Sequence, residues 1–556
     1  MKEERAPGPA SSVIRRIVWP DGRDPELKLH GVSAGAAPLV CADLVDAGAS
    51  PCVLVVTPEP GRVEQFMQQV AWLRGSSAGM ALLPDRETLP YDLFSPHPEI
   101  TSRRLETLSG LLADEAAGAA RALFVAAPTL LDRLPPRAQL RQWLRVSCRA
   151  GQELDPDDLR RRLDDAAYLR VPLVNEPGEY AVRGALLDIF PSGSPAPVRI
   201  EFFDREVESI RRFSPASQRS TGKLESFSLL PARELPLDPD SIEAFRERFR
   251  RRFPQNPARA EVFRKLGEGV APQGAENYLP LFFERTETLW DYLPPDSAVV
   301  LLPGAANALE SEWEAISERY RQRDGDLEQP CLPPEELFAP PSLHKAAVAS
   351  LRSVDCRPEA LTDIAVKAHS QAVGARPAPM VRLARSDEHT SLEAYAQTPG
   401  RRILLAAETA GQRELVRELL RGRQLGAQDV ASWNDFLASK APLCLAESPL
   451  DHGIVLGDSL SVLTERELFG RQRPLTRRRR RGQPPPEAIL QSLADLVPGA
   501  PVVHEDHGIG RYEGLQHMDV GGAPAEFMRV KYAGDDRLYV PVSDMQLITR
   551  YTGGSP

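Results

Sequence analysis

The stretch "HGVSAGAAPLVCADLVDAGASPCVLVVTP", residues 30–58, decides the fold of the first part of the chain. Within it, "PLVCADLVDAG" (38–48) has the apolar content of a helix, and Gly48 is a typical helix end. The run "PCVLVVTP" (51–58) is apolar throughout and bounded by prolines, which is typical of a strand buried on both faces of a parallel sheet. A helix followed directly by such a strand predicts an α/β domain.

Further buried strands and a further helix follow this unit. The apolar runs with the same character are "MALLP" (80–84), "ALFVAAP" (122–128) and "AVVLLP" (298–303). Between the strands at 51–58 and 80–84, "GRVEQFMQQVAWLRG" (61–75) has helical spacing of its apolar residues. Strands that alternate with helices predict a doubly wound parallel sheet, built from residues 26–133 and 234–327.

The loop at the start of the quoted stretch can be aligned with the phosphate-binding pattern G-x-x-x-x-G-K-[ST]. Gly31 takes the first glycine and Ala36 the second, whereas Ala37 stands at the lysine and Pro38 at the hydroxyl residue. Phosphate binding needs backbone N–H groups, that lysine, and a hydroxyl for Mg²⁺. On spacing alone, both an ordinary loop of small residues and the degenerate nucleotide site of a RecA-like or P-loop-like domain remain open.

A working nucleotide site would also need acidic side chains at the end of a neighbouring strand, where they hold Mg²⁺. The candidate strand, residues 299–302, ends with Leu302 and is followed by Pro303, so neither of these positions has an acidic side chain. Two independent losses fit a degenerate site, and an ordinary loop with no nucleotide-binding ancestor stays open. We therefore expect no catalytic residue and no ATP, Mg²⁺ or other cofactor in this segment.

Residues 134–233 have a different pattern from the parallel-sheet domain. "GEYAVRGALLDIFP" and "PVRIEFFD" alternate apolar and polar residues between turn residues, which is typical of an antiparallel sheet with one wet face. We therefore predict an inserted α+β domain. The other predicted parts are a flexible tail (1–25), a linker (328–382), a small α/β spacer domain (383–470), a basic, proline-rich linker with a short helix (471–496) and a small all-β barrel of the SH3 or Tudor type (497–553).

The composition excludes several classes of protein. A chain of 556 residues with a net charge of −10 is too long for one core and too acidic to bind nucleic acid through its overall charge. Its six cysteines include no C-x-x-C pair, which argues against disulfides and a thiolate metal site and fits the cytoplasm. No stretch has the character of a signal peptide or a membrane span. The basic run at 477–481 is either a nucleic-acid patch or, as we favour, a solvated tether.

Three stretches carry a resemblance to known families. "LPDRETLPYDLFSPHPEITSRRLETL" (83–108) resembles the opening domain of bacterial transcription-repair coupling factors and of the excinuclease subunit UvrB. "GEYAVRGALLDIFPSGSPAPVRIEFFDREVESIRRFSPASQRS" (178–220) resembles the inserted domain that both families share. Residues 502–553 are similar to the RNA-polymerase-interacting module of coupling factors and of CarD-type regulators. UvrB lacks that module, so the combination indicates the coupling-factor family.

The resemblance implies a UvrB-like first module without a working nucleotide site, which removes the ordinary-loop alternative. It implies that the inserted domain binds UvrA and that the barrel binds the β subunit of RNA polymerase. It also implies an ATP-driven motor that contacts double-stranded DNA and an autoinhibitory domain, both expected beyond Pro556. The chain is then the monomeric recognition half of a longer protein. The alternatives are a transcription regulator that acts through the barrel alone and, less favoured, an active NTPase.

The resemblance also indicates candidate residues for UvrA binding. Arg170 and Arg183 match arginines on the docking surface of UvrB, whereas Ala181 stands where UvrB has a further arginine. Arginine favours interfaces because its planar fork can pair with carboxylates, although both residues could simply face water. Phe190, on the same hairpin, is either an apolar anchor for UvrA or part of the core.

UvrB inserts an aromatic hairpin behind damaged DNA, and "LPYDLFSPHPE" (89–99) holds the corresponding place. This segment is short and rich in proline and has no run of tyrosines. We therefore expect no clamping of damaged DNA, and we expect Tyr91 and Phe94 to pack within the loop.

In the barrel, an exposed strand edge could pair with a strand of the polymerase. The candidate contacts are Leu515, Gln516 and Met518. Leu515 and Met518 could instead both belong to the core. They are an odd number of residues apart, so a regular strand would direct them to opposite faces, and at least one should lie outside.

Overall fold

The computed structural model of the chain describes most of its residues. The described residues are 17, 26–48, 50–113, 122–143, 147–255, 257–323, 325–361, 369–382, 390–470, 499, 501–504, 508–520, 523–532, 537–541 and 548–550. The chain divides into two compact units, Met1–Leu475 and Thr476–Pro556. None of the helices in the described ranges is long and apolar enough to cross a membrane.

The first part of the chain alternates strands and helices. Its elements are β1 (Glu26–His30), α1 (Ala37–Asp46), β2 (Val53–Thr57), α2 (Val63–Arg74), β3 (Met80–Leu82), α3 (Pro98–Ala113), β4 (Ala122–Ala126), α4 (Ala127–Leu130) and α5 (Arg137–Trp143). All of β2 is buried, with Val53 and Val55 in one core and Leu54 and Val56 in another. A strand with cores on both faces has no polar side, which explains the continuous apolar run in the sequence.

The inserted domain follows, with its own sheet and its own core. Its elements are β5 (Ser147–Arg149), α6 (Pro156–Asp165), β6 (Leu169–Arg170), β7 (Glu179–Arg183), β8 (Leu186–Ile189), β9 (Val198–Phe203), β10 (Glu206–Phe213), β11 (Ser220–Leu224) and β12 (Ser226–Ser228). Strands β11-β10-β9-β8-β7-β6 form one sheet, in which only the β6–β7 pair is parallel. Helix α6 buries Leu159 and Leu163 against the face that carries Ile189 and Ile200. The other face of this sheet is called the outer face below.

The chain then returns to the parallel sheet. Its elements here are α7 (Pro239–Arg252), α8 (Glu261–Gly267), α9 (Leu289–Tyr292), β13 (Ala298–Leu301), α10 (Ala305–Arg323), α11 (Pro334–Leu337), α12 (Pro341–Ser350), β14 (Arg352–Arg357) and β15 (Ser370–Ala372). The completed sheet has seven parallel strands in the order β15-β1-β14-β13-β2-β4-β3. The parallel α/β prediction is confirmed, but the interpretation of residues 328–382 as a linker is wrong, because β14 lies inside the sheet between β1 and β13.

A second α/β domain completes the first unit. Its elements are β16 (Ala375–Pro377), β17 (Val381–Arg382), β18 (Thr390–Ser391), α13 (Leu392–Ala396), β19 (Arg402–Ala407), α14 (Ala410–Arg421), β20 (Gln428–Asp429), α15 (Trp433–Ala438), β21 (Leu443–Glu447), β22 (Ile454–Leu456), β23 (Leu460–Thr464) and α16 (Glu465–Phe469). Its main sheet has the order β16-β22-β23-β19-β21-β20. Trp433, Phe436 and Ile454 belong to the same hydrophobic core as α1 and α2. Residues 383–470 thus contain the predicted small α/β domain, which shares a core with the parallel-sheet domain. Its description as a spacer stays a prediction.

The terminal unit is an antiparallel sheet. Its strands are β24 (Pro501–His504), β25 (Gly508–Val520), β26 (Ala523–Lys531), β27 (Arg537–Pro541) and β28 (Ile548–Arg550), in the order β27-β26-β25-β24-β28. Its core contains Val502, Tyr512, Met528, Val530 and Val540. The all-β character agrees with the sequence, and closure of this sheet into a barrel stays a prediction.

Candidate functional site

The loop that aligns with a phosphate-binding pattern uses its backbone N–H groups within the protein. The amide of Gly31, where φ is +77°, donates to a carbonyl of the segment after β14 at 2.8 Å. The amides of Ala36 and Ala37 both donate to the carbonyl of Ser33 at 2.9 Å. Pro38 has no N–H, and it is buried together with both alanines. The loop thus keeps the turn and the helix start of a phosphate site, but its amides are already paired.

The second α/β domain covers this loop. A Cβ atom on Gly35 would lie 2.8 Å from the carbonyl O of Gly453 and 2.9 Å from that of His452, so only glycine allows this approach. Beside this contact, Gln69 Nε2 on α2 donates to Asp451 Oδ1 at 2.9 Å. Residues 451–453 belong to the connection between β21 and β22. The degenerate loop is therefore an internal contact between two domains.

At the end of β13, apolar residues stand where a metal site would need acidic side chains. Strand β13 ends at Leu301, and Leu302 is buried with its N–H donated to the carbonyl of Val56 at 3.0 Å. Within the described ranges, no group of three or more His, Cys, Asp or Glu side chains could hold a metal ion. Leu302 and Pro303 can supply no oxygen ligand from their side chains to Mg²⁺.

A buried ionic cluster holds the two ends of the inserted domain. Arg104 Nε donates to Glu234 Oε1 at 2.5 Å and Arg104 Nη2 lies 3.0 Å from Asp132 Oδ2. Arg86 Nη2 donates to Glu234 Oε2 at 2.6 Å. Asp132 stands just before the insertion and Glu234 just after it, so Arg86 and Arg104 clamp both crossings to the parallel-sheet domain.

The electrostatics of this cluster follow from its burial. Burial raises the pKa of Glu234, but Arg104 and Arg86 outweigh that effect and lower this pKa to about 2. Burial dominates at Asp132 and raises its pKa above the usual value despite the same two arginines. Sequence reasoning missed this cluster, although Arg86 and Arg104 both lie in the stretch 83–108 that carries the family resemblance.

The predicted UvrA-binding arginines are both exposed, but on different faces. Arg170 pairs with Tyr180 across β6 and β7, so these two side chains share the face covered by α6. Arg183 is three residues further along β7 and therefore lies on the outer face. Its Nη2 donates to the carbonyl of Pro172 at 3.2 Å, and the residue as a whole is exposed. The structure does not combine the two arginines into one patch.

Phe190 belongs to the core rather than to an exposed surface. Its side chain is only 8% exposed and packs in a small cluster with Val174, Ala181 and Phe213. Its assignment as an apolar anchor for UvrA is therefore wrong. Ala181, where UvrB has an arginine, is buried in the same cluster, so this part of the outer face is closed by apolar packing.

The exposed part of the outer face lies at the turn end of the sheet. Arg183 pairs with Leu186 and Leu186 pairs with Glu201, so their side chains form one row across β7, β8 and β9. Phe203 follows two residues after Glu201 on the same face and is 73% exposed. Sequence reasoning missed Phe203, although the pair "FF" (202–203) in an alternating strand can bury only one of its two rings under α6.

The loop that replaces the aromatic hairpin behaves differently at its two aromatic residues. Tyr91 is buried, and its hydroxyl donates to the carbonyl of Leu332 at 2.9 Å, so its predicted packing role is confirmed. Phe94 is 70% exposed, so the same prediction for Phe94 is wrong. Within this one loop, therefore, one ring enters the core and the other does not.

The predicted polymerase contacts lie on β25. In the backbone register, Leu515 pairs with Met528 and Met518 pairs with Ala525. Gln516 is half-buried, and its Oε1 accepts a hydrogen bond from Arg529 at 3.4 Å. The side chains of Leu515 and Met518 lie outside the described part of the chain, so their roles stay predictions.

Comparison with known families agrees with this architecture. The family model described as the UvrB interaction domain matches residues 146–235, the one described as the MFD D3 domain matches 395–468, and the one described as the CarD-like/TRCF RID domain matches 496–552. These are the inserted domain, the second α/β domain and the terminal unit.

Curated relatives match across almost the whole chain. The transcription-repair-coupling factor of Haemophilus influenzae is 35% identical over 531 residues, which is 95% of this chain and 45% of the relative. That of Escherichia coli is 33% identical over 535 residues, and that of Myxococcus xanthus is 30% identical over 560 residues, each covering 95% of this chain and 46% of the relative. The chain belongs to the transcription-repair-coupling factor family. It spans about half the length of the family members that it matches.

Proposed function

We propose that this chain is the recognition part of a transcription-repair coupling factor, which binds the β subunit of RNA polymerase through its terminal unit and recruits UvrA through its inserted domain. The observation that carries the proposal is the exposed outer face around Arg183, on a domain that matches the UvrB interaction domain. In this proposal, translocation on double-stranded DNA and ATP hydrolysis belong to other parts of a longer, monomeric protein.

The proposal assigns no nucleotide turnover to this segment. Support comes from the paired amides of Ala36 and Ala37, from the cover over Gly35, and from the apolar Leu302 where an acid is needed. A triphosphate brought to this loop would find neither a lysine for its charge nor a hydroxyl for Mg²⁺. We expect no ATP or Mg²⁺ binding by residues 1–556, and titration with a fluorescent ATP analogue tests this. ATP hydrolysis that follows the chain through gel filtration would contradict it.

UvrA recruitment is tested by charge reversal on the outer face. Arg183→Glu should raise the Kd for UvrA at least about tenfold, since it places a carboxylate where the partner's carboxylates would pair. Lys223→Glu is the matched control, because Lys223 is an exposed cation on β11 at the far edge of the same sheet. Arg170→Glu separates the two faces: the proposal expects a smaller effect there than at Arg183. Equal affinity of Arg183→Glu and the unaltered chain would sink this part.

Polymerase binding is assigned to β25 of the terminal unit, with Leu515, Gln516 and Met518 as the contacts. The antiparallel sheet and the match to the CarD-like/TRCF RID domain support this assignment. Met518→Arg should weaken binding to the isolated β subunit at least about tenfold, because a charge would replace an apolar contact. Arg511→Ala, at the exposed start of the same strand, is the control. Unchanged binding by Met518→Arg would show that polymerase uses another surface.

A second candidate function is favoured by the CarD-like description of the terminal match. In that case the chain regulates transcription through the terminal unit alone, and UvrA is not a partner. The two functions differ in one outcome, since the regulator would keep its cellular activity when Arg183 is reversed in charge. A repair assay on the transcribed strand of an active gene, with Arg183→Glu and Lys223→Glu compared in the parent protein, distinguishes them.

A further inference from the structure

Phe203 is the most exposed of the large apolar side chains in the described part of the chain. It ends strand β9, directly after Phe202, which is buried in the core under α6. An isolated exposed apolar residue is common, but an aromatic ring that is 73% exposed beside a charged row is a typical interface feature. Its backbone position is fixed, since the amide of Phe202 donates to the carbonyl of Ala185 in the neighbouring turn at 3.0 Å.

The row next to Phe203 is held in place by side-chain contacts within the sheet. Arg199 forms two hydrogen bonds with the buried Asp188, at 2.6 and 2.8 Å, and its guanidinium lies 4.9 Å from the ring centre of Phe213. Ser209 Oγ donates to Glu201 Oε2 at 3.1 Å. These contacts neutralise Asp188 and orient Glu201, so the face is ordered before any partner arrives.

Where the outer face meets solvent, it carries exposed charges of both signs. Arg183 and Arg211 are exposed on this face, and so is Glu206, the cross-strand neighbour of Phe203. Two further acids, Asp188 and Glu201, are engaged by Arg199 and Ser209. On this face, the ring of Phe203 is complementary to an apolar pocket of a partner, and Arg183 is complementary to a carboxylate beside that pocket. The pocket would receive the aromatic ring, and the carboxylate would pair with Arg183.

We propose that Phe203 is the apolar anchor of the UvrA-docking face and inserts into an apolar pocket of UvrA, while Arg183 pairs with a carboxylate of UvrA. This inference rests on the proposed function and assigns to Phe203 the role that the sequence suggested for Phe190. Phe203 and Arg183 frame one end of the sheet, because the row Arg183–Leu186–Glu201 connects them across three strands. Binding then combines apolar burial at the ring of Phe203 with charge pairing at Arg183.

The chain itself contains a matched control for this anchor. Phe94 is 70% exposed, almost as much as Phe203, but it lies in the parallel-sheet domain rather than on the inserted sheet. Phe203→Ser should raise the Kd for purified UvrA about tenfold or more, as removal of an anchoring aromatic residue does. Phe94→Ser should change it less than threefold. Phe203→Leu, which keeps an apolar side chain, should bind between the unaltered chain and Phe203→Ser.

The measurement is biolayer interferometry with immobilised residues 1–556 and UvrA in solution, with gel filtration of each variant alone. A Kd for Phe203→Ser within threefold of the unaltered chain overturns the anchor, as does an equal loss for Phe94→Ser. Dimers of the unaltered chain that Phe203→Ser abolishes would overturn the choice of UvrA as the occupant. If Arg183→Glu lowers UvrA binding but Phe203→Ser does not, the proposed function stands and the anchor alone is lost. Failure of the unaltered chain to bind UvrA overturns both.

Discussion

The degenerate loop at residues 31–38 and the outer face of the inserted sheet differ in what their polar groups contact. In the loop, the amides of Ala36 and Ala37 bond to the chain itself and a second domain covers Gly35. On the outer face, the deeper polar groups such as Asp188 are paired, while Arg183 and Phe203 remain in solvent. The first region therefore contributes stability and the second presents a surface. Changes in the first should alter folding, whereas changes in the second should alter binding only.

The largest expected effect lies in the ionic cluster at the two connections between the parallel-sheet domain and the inserted domain. Arg104→Met leaves Glu234 and Asp132 buried with one cation fewer, which should lower the free energy of unfolding by about 3–5 kcal/mol. Urea unfolding followed by tryptophan fluorescence measures this. The control is Arg103→Met, because Arg103 is half-exposed and pairs with Glu64 at 3.0 Å, a contact worth less than about 1 kcal/mol. Equal and small losses in both variants would contradict the clamp.

A smaller loss is expected where the second domain covers the loop. Gly35→Val places a side chain against the backbone carbonyls of Gly453 and His452 and should cost up to about 3 kcal/mol, since backbone cannot move aside as a flexible side chain can. Gly61→Val is the control, because a Cβ at Gly61 meets no atom within 4 Å, and it should cost less than about 1 kcal/mol. If Gly35→Val were no worse than Gly61→Val, the loop would not be a tight domain contact.

The parallel-sheet domain should also lose stability in acid through His344. Burial lowers the pKa of His344 to about 4, and Trp290 Nε1 donates to its Nδ1 at 2.7 Å, so the folded state holds the neutral ring. In the unfolded chain the ring takes up a proton near pH 6.5, so stability falls as the pH drops from 6.5 towards 4. The expected loss from pH 7 to pH 5 is about 2 kcal/mol.

Denaturant unfolding at the two pH values checks this expectation. His344→Asn keeps one acceptor for Trp290 and one donor for the carbonyl of Ala339 but cannot titrate. The variant should therefore lose less stability between pH 7 and pH 5 than the unaltered chain. An identical loss in both would assign the acid sensitivity to other groups.

The smallest effect on stability is expected on the outer face. Arg183→Glu and Phe203→Ser change exposed side chains with few contacts, so each should shift the free energy of unfolding by less than about 0.5 kcal/mol. The same variants should carry the large losses of UvrA affinity. Differential scanning fluorimetry of each variant, run alongside the binding assay, compares the change in stability with the change in UvrA affinity. A marked drop in thermal stability would mean that Arg183 and Phe203 contribute to folding, as the loop at 31–38 does. The loop and the outer face would then not differ in role.

Local sequence predicted some elements well and missed others for physical reasons. Strand β2 was predictable because it is buried on both faces, and a short, continuous apolar run between turn residues is typical of such a strand. Strand β14 was missed because "RSVDCR" alternates and is only moderately apolar. It is stabilised by hydrogen bonds to β1 and β13 on its two sides, and these contacts are distant in sequence. A central strand can therefore look like a linker when its partners supply the stability.

The same limit applies to the candidate sites. The sequence indicated Arg183 as an exposed cation on a sheet, and the structure agrees. It left Phe190 open between anchor and core, because alternation predicts which side of a strand a residue takes but not whether that side is covered. At Phe190 the outer face is closed by Val174 and Phe213, whereas at Phe203 it is open. Only the packing around each ring distinguishes them.

By itself, the sequence determined the parallel α/β class, the inserted antiparallel domain, the missing lysine and acids of the nucleotide loop, and the family. These depend on residue identity and short-range periodicity, which are local. Tertiary structure alone decided that residues 352–357 complete the sheet, that the second domain covers Gly35, and that Arg170 and Arg183 face opposite ways. Each of these depends on contacts between segments far apart in the chain, and burial is a property of such contacts rather than of any one segment.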